Sequence, residues 1–376
     1  MEGRGGHDTP SLLVADIYLN PAQSHYRPSH RRIETPQYNQ SSKMPRPHNI
    51  SLPSRRLTAE RASQEPLPVL RIKGAPDFRP RAVPRELLTA ARASNLVLLA
   101  VTDWLIIAAI WLTAAHLPMQ LYPLWVLLLA GRLHALGVVL HDAVHMPLER
   151  KTPALRLLEI LAGYPIGSTI DAMRYHHLRH HRENGLPEDP YFKPWIGESR
   201  VRFWLMTLRY FLLLPLWALR SVYGSLAAYL PILRTSYGRW FLQDRYKGDL
   251  TNSAELLRCA REDRWQLLFH TGVFAFAMSY SSWLLTYYVV PAVIAGYFAG
   301  YRLQVEHRQE PNHDRGFQTT VHSTRDHDLG LAGKILLAPH NVGYHRVHHL
   351  HPQVALQNLP ELRDWYVENY GEIYRS

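Results

Sequence analysis

The sequence predicts an all-helical integral membrane protein with about four transmembrane helices arranged in two pairs. Apolar residues are concentrated in long runs, and several of these runs reach the ~20 residues that an α-helix needs to cross a bilayer. Polar segments rich in histidine connect or follow the runs. The mean hydropathy of −0.22 averages over both kinds of segment and therefore hides this division.

The first 85 residues differ in composition from the rest of the chain. They are rich in Pro, Ser, Arg and Gln, and contain 14 Lys and Arg residues against 7 Asp and Glu residues. Such a segment buries too little apolar surface to offset the entropy lost on ordering. We expect residues 1–85 to form a disordered basic arm and residues 86–376 to form the membrane domain. No apolar stretch follows the N-terminal charges, so a secretory signal peptide is not expected.

Two apolar runs open the membrane domain, at about 94–117 and 119–140. The first contains Asp103, which is costly in hydrocarbon and therefore needs a partner. The second contains Arg132 and His134 in its latter half, so this half is expected to face protein or water. His134 is interpreted as a histidine satisfied within the helix bundle.

The later apolar segments are less uniform. Residues 154–170 are short and contain glycine and proline, and residues 202–233 mix aromatic, leucine and arginine residues. Both segments are expected to be interfacial helices. The 37-residue run 267–303 is too long for one crossing and predicts two paired spans, at about 267–284 and 286–303. With an even number of spans, both ends lie on one side, and the basic arm places that side in the cytoplasm.

Three histidine clusters are the strongest chemical signal among the 22 histidines of the chain. They are HDAVH at 141–145, HLRHH at 177–181 and HRVHH at 345–349. Residues spaced by three or four share one face of a helix, so each cluster can present its rings together. Imidazole suits iron, copper, zinc and nickel, and eight histidines suit two ions better than one. The predicted ligands from these clusters are His141, His145, His177, His180, His181, His345, His348 and His349.

Several side chains near the clusters have open roles. Asp142 and Asp189 could orient ligand imidazoles, or could be ordinary surface or capping residues. His176 is interpreted as a solvated neighbour of His177. Other motifs are missing: the chain contains no HExxH, no GxGxxG and no P-loop sequence, and its single cysteine, Cys259, excludes an internal disulfide and a thiolate metal cage.

The ordered clusters resemble the histidine boxes of the membrane fatty acid desaturase and hydroxylase superfamily. The segment PHNVGYHRVHHLHP at 339–352 is similar to the third-box context of acyl-lipid and acyl-CoA desaturases, and the resemblance covers about 95–365. It implies a cytosolic helical cap, formed by 141–200 and 304–376, that holds a di-metal site with two irons over a four-helix membrane stem. It also implies a ninth ligand after the last span, which His307 supplies. The position from which some relatives hold a metal-bound water through an amide is Leu303, with Gln304 beside it.

The resemblance implies a dioxygen-dependent fatty acid desaturase that introduces a C=C bond into an acyl-lipid or acyl-CoA chain. Related hydroxylases, ketolases and decarboxylases that form terminal alkenes share such sites and remain alternatives, and a non-enzymatic membrane metal-binding protein is a distant one. No HPGG haem motif is present, so the electron donor should be external, either a ferredoxin or a cytochrome-b-type protein with its reductase. The third box begins with His rather than Gln, which disfavours the front-end subgroup. The expected location is the bacterial inner membrane or the endoplasmic reticulum, with boxes and termini cytoplasmic; no nucleic-acid partner is expected.

Overall fold

The computed structural model describes residues 83–147, 151–196, 198–314, 316–327 and 329–375, all of which belong to one compact unit, Leu70–Ser376. The predicted disordered arm, 1–85, lies almost entirely outside the described residues. Within these ranges the chain is helical, and the only β pairing consists of the isolated bridges Ala90↔Val354 and His307↔Thr324. The helices are α1 Ala93–Ala114, α2 Tyr122–Ala143, α3 Pro153–Leu158, α4 Ile170–Glu183, α5 Arg200–Leu208, α6 Leu213–Tyr229, α7 Arg234–Phe241, α8 Ala254–Tyr280, α9 Val290–Val305, α10 Phe317–Ser323, α11 Leu331–Leu336, α12 His345–Leu350 and α13 Leu359–Arg375.

Three helical stretches of the described chain are long and apolar enough to cross a membrane: Ala93–Ala114, Met119–Ala143 and Arg200–Tyr229. The first two correspond to the runs predicted at 94–117 and 119–140. The third lies in the segment that the sequence assigned to the interface. The predicted spans 267–284 and 286–303 fall on α8 and α9, which are not among the three. The count of four spans in two pairs therefore stays a prediction.

Buried apolar side chains form three clusters, and each histidine box is attached to a different part of them. The first cluster joins α1, α2 and the segment 285–295 through residues such as Leu133, Leu140 and Tyr288. The second packs α12 and α13 together, with Val347 and Leu362 at its centre. The third joins α4 to the helices α6, α7 and α8. The fold therefore brings three boxes that are distant in sequence towards one region.

Local capping fixes where the helix of the second box begins. The Thr169 side chain accepts a hydrogen bond from the backbone N–H of Ala172, and Glu159 accepts one from Ile170. These bonds satisfy N–H groups that have no partner within the helix. Just before this point, Gly167 has a φ of 78°, a conformation that glycine adopts without strain. The start of α4, and with it the position of the second box, is thus set by side chains outside the box.

Gly300 predicts a clear packing effect on the helix that leads to His307. A Cβ atom at this position would lie 1.9 Å from Cγ of Tyr210. We expect Gly300→Ala to displace the Tyr210 ring and to destabilise the protein by about 1–3 kcal/mol, the usual range for overpacking. Gly272→Ala is the matched control, because a Cβ there has no neighbour within 4 Å. Thermal unfolding in detergent should show a lower Tm for the first variant only; equal Tm values would contradict the packing.

Candidate metal centre

Each histidine box lies at a helix end or on a short helix. His141 is in the last turn of α2, and His145 follows just beyond that helix. His177, His180 and His181 lie on α4, and the third box forms the six-residue helix α12. His307 lies two residues after the end of α9, and its backbone forms an isolated β-bridge with that of Thr324. All nine predicted ligands are thereby placed in one region of the molecule.

Five of the predicted ligands form a first histidine group: His141, His145, His177, His181 and His348. One nitrogen atom of each lies within 4.8 Å of those of the others. Nε2 of His177 is 3.1 Å from Nε2 of His145 and 2.9 Å from Nε2 of His181. Nε2 of His348 is 3.1 Å from Nε2 of His181. The group combines residues from all three boxes.

A second histidine group contains His180, His307 and His349, with nitrogen atoms again within 4.8 Å of one another. Nε2 of His307 is 2.9 Å from Nε2 of His180 and 3.1 Å from Nε2 of His349. Nε2 of His345 lies 3.0 Å from the same His307 atom, so this histidine joins the second group. The two groups adjoin, because the rings of His181 and His349 stack with their centroids 4.1 Å apart.

The hydrogen bonds of His180 and His307 test whether a cation fits between them. Nδ1–H of His180 donates to Oδ1 of Asp189 at 2.9 Å, and Nδ1–H of His307 donates to the Leu303 carbonyl at 2.9 Å. A neutral ring with its proton on Nδ1 presents a lone pair on Nε2, and the two Nε2 atoms are 2.9 Å apart. Two acceptors at this distance repel unless a cation binds both. Ligands at right angles, each about 2.1 Å from an ion, are about 3.0 Å apart, which matches the observed spacing.

Burial favours the neutral form of most of the predicted ligands, and metal binding requires neutral imidazoles. It lowers the pKa of His145 and of His307 to about 3. Burial, reinforced by the neighbouring rings, also holds the pKa of five further predicted ligands well below the usual value; these are His177, His181, His345, His348 and His349. A site made of neutral nitrogen donors adds no negative charge to a bound cation.

Asp189 is the carboxylate that orients a histidine of the second group. The sequence left it undecided between this role and a capping role; the side chain is 2% exposed and accepts from His180. It also accepts from the backbone N–H groups of Gly185 and Tyr191, at 2.9 and 2.8 Å. Burial alone would raise its pKa, but the His180 ring and these two donors outweigh burial and lower the pKa. Asp142, the other candidate, accepts a backbone hydrogen bond from Leu356 instead.

We expect Asp189→Asn to weaken metal binding without unfolding the protein. The amide is isosteric but no longer fixes the proton on Nδ1 of His180, so Nε2 loses its preference for the deprotonated state. Affinity for iron should fall by roughly 10–100-fold, the range observed for groups that orient metal ligands. Competition with a chelator measures the change. Asp249→Asn is the control, since Asp249 bonds only to Thr235 and Thr251; equal affinities for both variants would contradict the role.

Tyr191 and Glu306 lie beside the histidine groups and were not identified from the sequence. His176 is buried, not solvated as expected, and its Nδ1 forms a short hydrogen bond with the Tyr191 hydroxyl. The Tyr191 ring packs against His180 with centroids 4.5 Å apart. Glu306 pairs with Arg302 at 2.7 Å, and burial raises its pKa to about 7. His134 bonds to the Leu337 carbonyl at 3.2 Å and stays apart from both groups, as interpreted from the sequence.

A separate, acidic cluster surrounds the side-chain cation of a lysine. The carboxylates of Glu159, Asp171 and Glu262 lie within 4.8 Å of one another. The Lys151 ammonium contacts all three, at 2.7, 2.5 and 3.0 Å. This acidic cluster is therefore an internal ion-pair network and not a further metal site.

Acid should destabilise the metal-free protein. Burial lowers the pKa of His176 to about 3 and that of His351 to about 4, whereas an unfolded histidine titrates near 6.5. Between these pH values the two histidines bind protons in the unfolded chain but not in the folded chain. Their contribution to the free energy of unfolding is therefore fully present above about pH 6.5 and decreases as the pH falls. Thermal unfolding of metal-free protein from pH 7 to pH 4.5 should show a decreasing Tm, less steep in His351→Gln. A constant or rising Tm would contradict this expectation.

Comparison with known proteins places the chain in a family. The family described as fatty acid desaturase matches residues 119–376, more than half of the chain and all three histidine boxes. No curated protein matches the sequence. The match includes helix α2, the two histidine groups and the C-terminal helices. The chain belongs to the fatty acid desaturase family.

Proposed function

We propose that this protein is a di-iron, dioxygen-dependent fatty acid desaturase that introduces a C=C bond into an acyl-lipid or acyl-CoA chain. The observation that carries the proposal is the pair of Nε2 atoms of His180 and His307, which lie 2.9 Å apart within two adjoining histidine groups. Membership of the family supports the lipid substrate and the use of iron. The proposed ligands are His141, His145, His177, His180, His181, His307, His345, His348 and His349.

The grouping supports two ions rather than one. Helix α4 contributes His177 and His181 to the first group and His180 to the second. Helix α12 is divided in the same way, with His348 in the first group and His349 in the second. Each of the two helices would thus supply nitrogen ligands to both ions, and such ligands suit iron.

When bound, an iron pair supplies the activation of dioxygen that breaks an unactivated C–H bond. The residues of this chain would hold the pair, keep its ligands deprotonated and exclude bulk water. His180, His307, His345, His348 and His349 are all less than 10% exposed, which supports a water-poor centre. Asp189 would keep the His180 proton on Nδ1, away from the metal. The position of the acyl chain relative to the pair would select the carbon atoms that lose hydrogen.

Electrons are proposed to come from an external ferredoxin or a cytochrome-b-type protein with its reductase. The sequence contains no dinucleotide-binding GxGxxG motif, and its formal net charge is +11. A positive surface speeds association with an acidic donor. We further propose that the protein spans the bacterial inner membrane or the endoplasmic reticulum with its histidine boxes and both termini in the cytoplasm, since the three apolar helices support membrane insertion.

Product analysis tests the reaction. The full-length protein should be expressed in a host that lacks desaturases and supplied with candidate acyl lipids and with a ferredoxin and its reductase. Mass spectrometry is expected to find an internal alkene in wild-type samples and none in His348→Ala samples. A hydroxylated, ketonic or terminally unsaturated product would overturn desaturation and favour one of the related lipid oxidations.

A further inference from the structure

A buried carboxylate lies in the middle of the first apolar helix. Asp103 is the only charged residue of α1, and its side chain is completely buried. A carboxylate in such a position is expensive unless charged or hydrogen-bonding partners surround it. The partners of Asp103 therefore show which parts of the chain the first helix holds in place.

Both oxygen atoms of Asp103 are bonded, and the bonds lead to a distant part of the chain. Oδ1 pairs with Nη1 of Arg132 on α2 at 3.1 Å. Oδ2 accepts from Nε2 of His340 at 2.8 Å, a contact that spans 237 residues of sequence. The second amino group of Arg132 donates to the carbonyl of Ile335 at 2.6 Å. Asp103 and Arg132 thus bind the segment 335–340 from both its ends.

The same segment lies directly against α2. A Cβ atom at Gly131 would come within 3.0 Å of the Ile335 carbonyl oxygen and of the Leu336 side chain. His134 contacts the carbonyl of Leu337 at 3.2 Å. One turn of α2, residues 131–134, therefore contacts residues 335–337, and the position of the segment depends on this helix and on Asp103 of α1.

The backbone just after this contact is strained, and it leads to the third histidine box. His340 and Asn341 have φ values of 54° and 64°, in the left-handed region that side chains rarely adopt. Such residues persist only where their surroundings fix them. Asp103 fixes the first side chain, and the Leu356 carbonyl accepts from the second at 3.3 Å. The helix α12 begins at His345, four residues later.

We infer that Asp103, acting through Arg132 and His340, is a positioning residue that aligns the third histidine box with the other two. The inference rests on the proposed role of His345, His348 and His349 as metal ligands. It assigns a function to a charge that lies within the first apolar helix and outside the family match, which begins at residue 119. The bonds set the path of 335–341, and this path sets where α12 begins.

The test compares iron binding in four full-length variants purified in detergent. Asp103→Asn removes the charge, and His340→Gly removes the side chain while relieving the strained φ, because glycine adopts this conformation freely. His340→Gln retains a side-chain N–H that can reach Asp103. Thr102→Val is the control on the same helix, since Thr102 bonds only to the Leu98 carbonyl within α1. The readouts are iron affinity by chelator competition and the Mössbauer spectrum of the loaded protein.

Iron affinity is expected to fall by about tenfold in Asp103→Asn and His340→Gly, at the lower end of the range for groups that orient ligands. It should stay near the wild-type value in His340→Gln and Thr102→Val. A role of His340 in the turn alone predicts the opposite, namely unchanged iron binding and a higher Tm in His340→Gly. If Asp103→Asn does not accumulate, His340→Gly decides.

Wild-type affinity in His340→Gly, or failure of His340→Gln to restore it, would overturn the inference. His348→Ala serves as the reference for the proposed function. If His348→Ala retains both irons, the ligand assignment itself fails. If His348→Ala loses iron while His340→Gly binds it normally, the ligands stand and only the positioning role fails.

Discussion

Replacing His180 or His348 by alanine is expected to lower the iron content of the protein and to abolish turnover. Each change removes a proposed ligand from a different histidine group: His180 lies 2.9 Å from His307, and His348 lies 3.1 Å from His181. Loss of a group that only orients a ligand lowers metal affinity by roughly 10–100-fold. We therefore expect loss of a ligand itself to lower iron affinity, and with it turnover, by about a hundredfold or more. Iron is measured by mass spectrometry of the purified protein, and turnover by product formation.

A matched control separates this effect from the loss of any imidazole. His313 is exposed and belongs to neither group, so His313→Ala should retain both iron and activity. Full iron occupancy with normal turnover in both His180→Ala and His348→Ala would refute the assignment.

His307→Ala is expected to have the second largest effect, because this ring is at the centre of the second group. Its Nε2 atom is 2.9 Å from His180, 3.0 Å from His345 and 3.1 Å from His349. After truncation, an ion bound to those three nitrogen atoms would have an incomplete coordination shell, whereas the first group loses no member. Iron content should therefore fall from about two to about one ion per chain, with loss of turnover.

The Mössbauer spectrum of His307→Ala should change from that of two iron sites to that of one. His322→Ala is the control, because His322 is half exposed and contacts Arg308 and Glu310 rather than the histidine groups. An iron pair that survives in His307→Ala would show that eight ligands suffice.

The sequence predicts the three histidine clusters because their spacing is a local feature. Spacings of three and four place imidazoles on one helix face, and no tertiary contact is needed to see this. The sequence could not show how the boxes divide between ions: His180 joins His307, although its neighbours His177 and His181 join the first group. His307 has no local motif and was predicted from the resemblance alone. The orienting role of Asp189 is evident only from its hydrogen bond to His180.

Long-range pairing also explains where the assignment of membrane segments differs. The arginines of 202–233 favoured an interfacial helix, since an unpaired guanidinium is expelled from hydrocarbon. In the structure Arg220 is fully buried, donates to Gln266 at 2.7 Å and pairs with Asp263. Both partners lie on α8, more than 40 residues further along the chain. Helix Arg200–Tyr229 can therefore be apolar on its outer surface despite its internal charge.

Asp103 shows the same limit within the first helix. Its sequence position indicated a need for a partner, but Arg132 and His340 come from two other parts of the chain, and nothing in their local sequence marks them as that partner. Burial of polar groups is decided by contacts that periodicity does not record.

The most direct test of the di-iron centre is metal analysis of the full-length protein, purified in detergent from cells grown with iron. Elemental analysis with Mössbauer spectroscopy should find about two irons per chain, bound by nitrogen. A folded protein that contains no transition metal, or a single isolated ion at saturation, would contradict the convergence of the histidines on a pair of cations.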